Sequence, residues 1–301
     1  MGRLAFVFSG QGDQYPGMGK TLADRYPAAA SVFALCDRIR PGTSGQCFGG
    51  TEEELRITEN TQPCLYALEL ALAAALTEGG VRPDAAAGFS LGEVAAAAFA
   101  GLCDRETGFR LVCRRGQLMQ REAERFDTSM AVVLRLTNEE VEEICSAFEA
   151  VYPVNYNCPG QVSVAALSGE LPEFGARVKA AGGRLLPLKV NGAFHSPFME
   201  EAAKNFAGEL AKAELREGQL REGRIPLYSN LTGHRYGENR AELLSRQICS
   251  PVRWEQEIRN MIADGIDTFV EIGSGRTLTN MIKKIDANAA ARTAEIGRAH
   301  V

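Results

Sequence analysis

Histidine is scarce in this chain. Three stand among 301 residues, so chemistry that needs an imidazole base at neutral pH has few places to reside. Cysteine is present, but its pairing patterns are missing. The eight cysteines, at 36, 47, 64, 103, 113, 145, 158 and 249, contain no C-x-x-C pair. Their apolar settings read as reduced, cytosolic thiols rather than a disulfide or zinc framework, and no metal is expected. Basic residues do not predominate either. Lys and Arg number 33 against 38 Asp and Glu, a formal net charge of −5, which argues against a nucleic-acid partner. No apolar run is long enough to cross a bilayer once Glu78, Asp84 and Glu93 are placed. The opening Met1-Gly2-Arg3-Leu4-Ala5-Phe6-Val7-Phe8 meets a polar glycine loop before a signal-peptide core can form. A cytoplasmic location with no membrane partner is therefore expected. Repeats and low-complexity linkers are absent as well.

What is present is ordinary for a globular protein: 45% hydrophobic and 24% charged residues, over a length that suits one large domain or two. Gly88-Phe89-Ser90-Leu91-Gly92 is the most informative stretch. It fits the G-x-S-x-G spacing that exposes a serine at a sharp strand-to-helix turn, where glycines keep the hydroxyl unobstructed. The alanine-rich run from Glu93 to Ala100 suits a helix whose N-terminus faces the serine.

Along the chain, Leu4–Phe8 reads as a strand and residues from about Leu22 to Ile39 as a helix. Gln62–Glu78 reads as a helix with Pro63 in its first turn, Ala85–Gly88 as a short strand, and Arg105–Glu124 as an amphipathic helix. Between Ser129 and Val190 the texture changes. Met130–Leu134, a helix capped by Asn138, Tyr152–Asn157, Gln161–Ala166, Leu171–Ala181 and Arg184–Val190 follow in β-α-β-β-α-β order, the ferredoxin-like pattern. A helix over Pro197–Lys212, a strand at Ile225–Ser229, a helix ending near Ala263 and a strand at Thr268–Ile272 complete the reading. The expected fold is α/β. A large α/β-hydrolase-like domain (1–127 and 192–294) holds a parallel sheet and nucleophile elbow, and a small ferredoxin-like βαββαβ subdomain (128–191) is inserted into it. The last seven residues, Glu295–Val301, back-translate to GAG-ATC-GGA-AGA-GCA-CAC-GTC, the string of a widely used sequencing adapter. Residues 295–301 are expected to be a non-native tail, which removes His300 from consideration.

A serine nucleophile needs a base. His234 sits in what reads as a solvated turn, Leu231-Thr232-Gly233-His234. His195 follows a strand and precedes a proline-started helix, the kind of junction where sites on α/β folds gather. Elimination and location favour His195.

Six segments then occur in order. They are Gly10-Gln11-Gly12, Gly88 to Glu93, Arg115-Gly116 with Met119, Asn157-Cys158-Pro159-Gly160-Gln161, Ala193-Phe194-His195-Ser196, and Gln247 through Pro251-Val252-Arg253-Trp254. From residue 4 to about 285 the set resembles the malonyl-CoA:acyl-carrier-protein transacylases and the related acyltransferase domains of polyketide synthases. The resemblance implies that Ser90 takes a malonyl group from a coenzyme A thioester and passes it to the phosphopantetheine thiol of holo-acyl carrier protein. It implies His195 as the base, Gln247 as the position whose oxygen orients that histidine, and the N–H groups of Gln11 and Leu91 as the oxyanion hole. Arg115 matches the arginine that pairs with the malonyl carboxylate, and only one of Arg114 and Arg115 is expected to face the cleft. Met119, Phe194, Phe89, Gln62 and Asn157 are the remaining substrate-binding positions. The bulk of Phe194 favours malonyl over methylmalonyl. Phe89 departs from the family's usual histidine and is expected to make a drier, tighter pocket. No cofactor is implied, and a monomer is expected.

Three other readings compete. A serine esterase shares the serine turn but gives Arg115 and Gln247 no role and calls for an acid between serine and histidine. A nucleotide-binding loop at Gly17-Met18-Gly19-Lys20-Thr21 lacks glycine where Gln14 stands, and Pro16 removes a backbone donor. A catalytically dead carrier-protein-binding module is opposed by the intact Ser90, His195 and Arg115.

Overall fold

The computed structural model describes residues 2–213, 215 and 225–294. The expected tail, 295–301, lies outside them. The chain opens on β1 (Arg3–Phe8), followed by α1 (Lys20–Arg25), α2 (Pro27–Ile39), α3 (Thr43–Gly49), α4 (Glu52–Arg56) and the long α5 (Thr58–Glu78). The single helix expected from about Leu22 to Ile39 is split at Tyr26, which is extended. Pro27 is the cause: it suits the first turn of a new helix and disfavours helical backbone in the residue before it. Helix α5 begins at Thr58 rather than Gln62, so Pro63 lies inside the helix and not in its first turn. The Thr58 N–H is taken by the Gln120 side chain at 2.9 Å, a partner 62 residues away that no local pattern reveals.

Next come β2 (Ala85–Gly88), α6 (Gly92–Phe99) and α7 (Arg105–Ala123). The alanines of β2 prefer helices, yet all four residues of the strand are buried beside β1, and that packing overrides their propensity. The second sheet follows: β3 (Thr128–Leu134), α8 (Asn138–Ser146), β4 (Val151–Cys158), β5 (Gln161–Leu167), α9 (Leu171–Ala180) and β6 (Arg184–Asn191). Its strands are antiparallel in the order β4-β5-β3-β6. The cap of α8 is Thr137, one residue before the expected Asn138, because Thr137 and Glu140 form a reciprocal capping box.

A 3-10 turn at Pro197–Met199 precedes α10 (Glu200–Lys212), so the expected single helix is divided there. Then come α11 (Arg240–Arg246), α12 (Trp254–Ala263), β7 (Ile266–Ile272), α13 (Thr277–Ile285) and β8 (Ala290–Thr293). The first sheet is parallel in the order β2-β1-β7-β8. Strand β8 has no counterpart in the sequence reading. The stretch expected as a strand at Ile225–Ser229 makes only bridges, Leu227 to Ala86 and Tyr228 to Arg235. It runs along β2 through two main-chain bonds, Ala86 N–H to Pro226 O and Tyr228 N–H to Ala86 O.

Both faces of the parallel sheet are covered. Side chains alternate along β1, so Phe6 and Phe8 join the core against α5 and α6, while Ala5 and Val7 join the one containing Trp254, Phe269 and Ile282. That double burial explains the unbroken apolar run at the start of the chain. The parallel register pairs Phe8 with Gly88, so the C-terminal ends of β1 and β2 lie side by side, where the loop holding Gln11 and the Ser90 turn emerge.

Candidate active site

Strand β2 ends in a turn with no room to spare. A Cβ on Gly88 would lie 2.1 Å from main-chain atoms of Gly92, and one on Gly92 would lie 2.3 Å from the Phe8 carbonyl oxygen. Glycine at both positions lets β1, β2 and α6 converge, and Ser90 between them takes a left-handed φ of 55°. The Gly92 and Glu93 N–H groups turn back onto the carbonyls of Phe89 and Ser90. Leu91 stands at the helix start, the position from which a backbone N–H can serve an oxyanion.

His195 also has a left-handed φ, 62°, three residues beyond Gly192, and its N–H bonds the Ile248 carbonyl at 3.1 Å. The ring is buried. Its Nε2 lies 2.7 Å from Ser90 Oγ and its Nδ1 lies 2.9 Å from the Gln247 main-chain oxygen. A carbonyl can only accept, so Nδ1 carries the proton and Nε2 is free to accept one from the serine. The oxygen that orients the histidine therefore belongs to the backbone of Gln247, not to its side chain.

Burial, and then the charge of Arg115, push the His195 pKa down to about 4, against the opposing backbone hydrogen bonds of Gln247 and Ser250. The imidazole thus stays neutral through the physiological range, the state in which Nε2 can accept a proton. Reaction of the Ser90 hydroxyl with an electrophile is expected to be flat from pH 8 to pH 5 and to slow as pH drops through about 4, where Nε2 is protonated. A stopped-flow pH profile checks this, and a midpoint near the ordinary histidine value would contradict it.

Arg115 is wholly buried on α7, whereas Arg114 is exposed and pairs with Glu209 at 3.4 Å. One of the two faces the interior, as the helical spacing requires. Arg115 Nη1 donates to Gln62 Oε1 at 3.0 Å and Nη2 to Gln247 Oε1 at 2.8 Å. Among the described residues no carboxylate forms a salt bridge with it. Burial lowers its pKa to about 10, which leaves it charged at neutral pH. Gln247 Nε2 donates to the Ser90 carbonyl at 2.7 Å, and Gln62 Nε2 lies 3.4 Å from Met119 Sδ. Ser90, His195, Gln247, Arg115, Gln62 and Met119 thus form one connected cluster.

The other positions sit around or away from it. Phe194 is buried beside His195 in the chain. Gln11 reaches Thr58 Oγ1 at 3.5 Å. Phe89 packs edge-on to Trp254, ring centroids 5.6 Å apart, and presses on Gly10, where an added Cβ would lie 2.7 Å from its Cδ1. Asn157 is tied to Ser163 across β4 and β5 at 3.0 Å, with no hydrogen bond to the cluster. His234 is exposed and bonds Asn260.

The sequence reading passed over a second buried group beneath the turn: Asn230, Glu93, Tyr236 and Glu257. Glu93 accepts from the Tyr236 hydroxyl at 2.5 Å and from the Asn230 N–H at 3.2 Å. Burial raises its pKa to about 7, and burial also raises that of Glu257 well above the carboxylate range. A lone carboxylate in the run Glu93–Ala100 was the available signal. Asn230 offered none.

The acyl transferase domain family model matches residues 5–299. The malonyl CoA-acyl carrier protein transacylase of Bacillus subtilis is 34% identical over 294 residues, covering 95% of this chain and 91% of that protein. The crystal structure of the malonyl CoA-acyl carrier protein transacylase from Clostridium perfringens superposes with a TM-score of 0.91 at 35% identity, covering 97% of this chain and 92% of the other. A malonyl-transacylase solved in complex with its holo type II polyketide synthase acyl-carrier protein gives a TM-score of 0.89 at 34% identity, covering 97% and 94%.

Proposed function

The chain belongs to the acyl transferase domain family, and we propose that it moves a malonyl group from coenzyme A to acyl carrier protein through a covalent acyl-Ser90 intermediate. The product supplies chain extension in fatty-acid or polyketide synthesis. Ser90 Oγ passes its proton to His195 Nε2 and attacks the thioester carbonyl, whose oxygen is received by the Gln11 and Leu91 N–H groups. Collapse breaks the C–S bond, and the imidazolium returns the proton to the departing coenzyme A thiolate. The carrier's phosphopantetheine thiol then gives its proton to His195 and attacks the Ser90 ester, and the serine hydroxyl is restored. Thioester exchange of this kind uses no metal or redox cofactor.

One observation carries the choice of acyl group: a wholly buried arginine whose two Nη bonds end on neutral glutamine oxygens. Among the described residues no carboxylate bonds it directly, and buried Glu93 acts on it only at longer range; a buried cation so placed is costly, and a substrate carboxylate supplies a direct partner. Phe194 narrows the pocket against branched acyl groups, and Phe89 makes it drier and tighter. An esterase acid has no place here, because His195 Nδ1 is already occupied by a main-chain oxygen. The large part of the chain is α/β-hydrolase-like with a nucleophile elbow, and residues 128–191 form an inserted ferredoxin-like subdomain. The protein acts as a monomer in the cytoplasm, a setting consistent with buried free thiols such as Cys36, Cys47 and Cys145.

Intact-protein mass spectrometry tests the reading. Mixing with malonyl-CoA is expected to give a malonyl adduct that holo-acyl carrier protein discharges. Discharge to water faster than to the carrier thiol would favour an esterase instead. Phe89→His is expected to admit water and raise the ratio of adduct hydrolysis to transfer about fivefold, the equivalent of roughly 1 kcal/mol in barrier. An unchanged ratio would count against the dry-pocket role.

A further inference from the structure

We propose that Asn230 is a positioning residue that braces the nucleophile turn; the role rests on the acyl-Ser90 reading above. A serine held at φ 55° is strained and persists only where its surroundings fix it. At this turn the Ser90 N–H precedes the helix, and the Gly88 carbonyl stands at the end of β2. One amide side chain satisfies both groups. Asn230 Oδ1 accepts from the Ser90 N–H at 2.7 Å, and Asn230 Nδ2 donates to the Gly88 carbonyl at 2.6 Å. The strained residue is thus clamped from both sides.

The remaining valences of the amide are also used. Nδ2 donates to Glu257 Oε2 at 2.8 Å, and Oδ1 accepts from Gln247 Nε2 at 3.2 Å. That fills a primary amide's usual capacity of two donors and two acceptances. The main chain of Asn230 is fixed as well, its N–H by Glu93 and its carbonyl by the Arg253 N–H at 2.8 Å. Asn230 is fully buried, so no water competes for these bonds. Alternatives at the position fail for stated reasons. Aspartate keeps the acceptor toward Ser90 but turns an oxygen toward the Gly88 carbonyl and the Glu257 carboxyl. Serine is too short to span both sides of the turn.

The test uses Asn230→Asp and Asn230→Ser in rapid-quench, single-turnover acylation by malonyl-CoA. The expected result is an acylation rate constant lower by about 10²-fold, the cost of a small misplacement of a reacting atom. Malonyl-CoA affinity, measured in a Ser90→Ala background, and the amplitude of acylation are expected to stay the same. A purely structural role would lower the amplitude and leave the rate constant of the surviving molecules unchanged, which would overturn the proposal. So would a parental rate constant in either variant. Amide hydrogen exchange of the unsubstituted protein gives an arm independent of variant folding. Slow exchange at Ser90 is expected, and exchange at the rate of an open turn would refute the clamp. If the unsubstituted protein forms no acyl-Ser90, the functional reading fails, and the exchange arm still decides the clamp.

Discussion

Ser90→Ala is expected to abolish the malonyl adduct and to lower transfer to acyl carrier protein by at least about 10⁴-fold, as loss of a triad nucleophile does elsewhere. Ser90 Oγ lies 2.7 Å from His195 Nε2, and Nδ1 of that ring is committed to a main-chain oxygen, so the imidazole has one direction in which to accept a proton. Removing Oγ leaves a neutral nitrogen facing the cleft and a thioester with nothing to attack it. The substitution should not disturb the turn. Alanine meets about the same left-handed cost as serine, and the Asn230 and Gln247 bonds to residue 90 are made to its backbone. An unchanged melting temperature together with a missing adduct is therefore the expected pair of results. An adduct that forms regardless of residue 90 would sink the covalent mechanism.

The parts of this site that were legible in the sequence are those fixed by local constraint. Gly88 and Gly92 announce themselves because their Cβ atoms would strike backbone, and such collisions leave a spacing that can be read. His195 could be reached by elimination among three histidines. The parallel sheet was legible in β1, whose two buried faces demand an unbroken apolar run. Strand β8 was not, because Ala-Ala-Arg-Thr carries little strand preference and owes its state to pairing with β7.

Long-range polar bonds were the least legible. Arg115 meets Gln62 and Gln247 across 53 and 132 positions, and Asn230 meets Ser90 across 140. No periodicity links such residues; only the fold does. The orienting oxygen of Gln247 is a backbone atom, so side-chain chemistry could point to the position but not to the group that acts. Phe89 is another case. Its departure from the family's usual histidine was visible at once, while its packing on Gly10 and Trp254 required the assembled turn.

Arg115→Ala is expected to remove the preference for a charged acyl group. Losing one partner of a buried, bidentate ion pair costs about 3–5 kcal/mol, so kcat/KM for malonyl-CoA should fall by roughly 10²-fold to several thousandfold at about 1.4 kcal/mol per tenfold. Acetyl-CoA brings no carboxylate and gains nothing from the guanidinium. The substitution therefore takes away no contact that acetyl uses, so acetyl loading should stay level. Arg115→Lys separates charge from shape: an ammonium restores the sign but not the fork that spans Gln62 and Gln247, and an intermediate selectivity is expected. Stability changes less than activity. Gln62 Oε1 and Gln247 Oε1 each lose a donor, at about 1–3 kcal/mol apiece, while relief of a desolvated charge acts in the opposite direction. Competition between malonyl-CoA and acetyl-CoA for one protein sample, read as the ratio of the two adducts by mass spectrometry, measures the effect directly. A ratio equal to the parent's in Arg115→Ala would show that the buried arginine does not choose the acyl group.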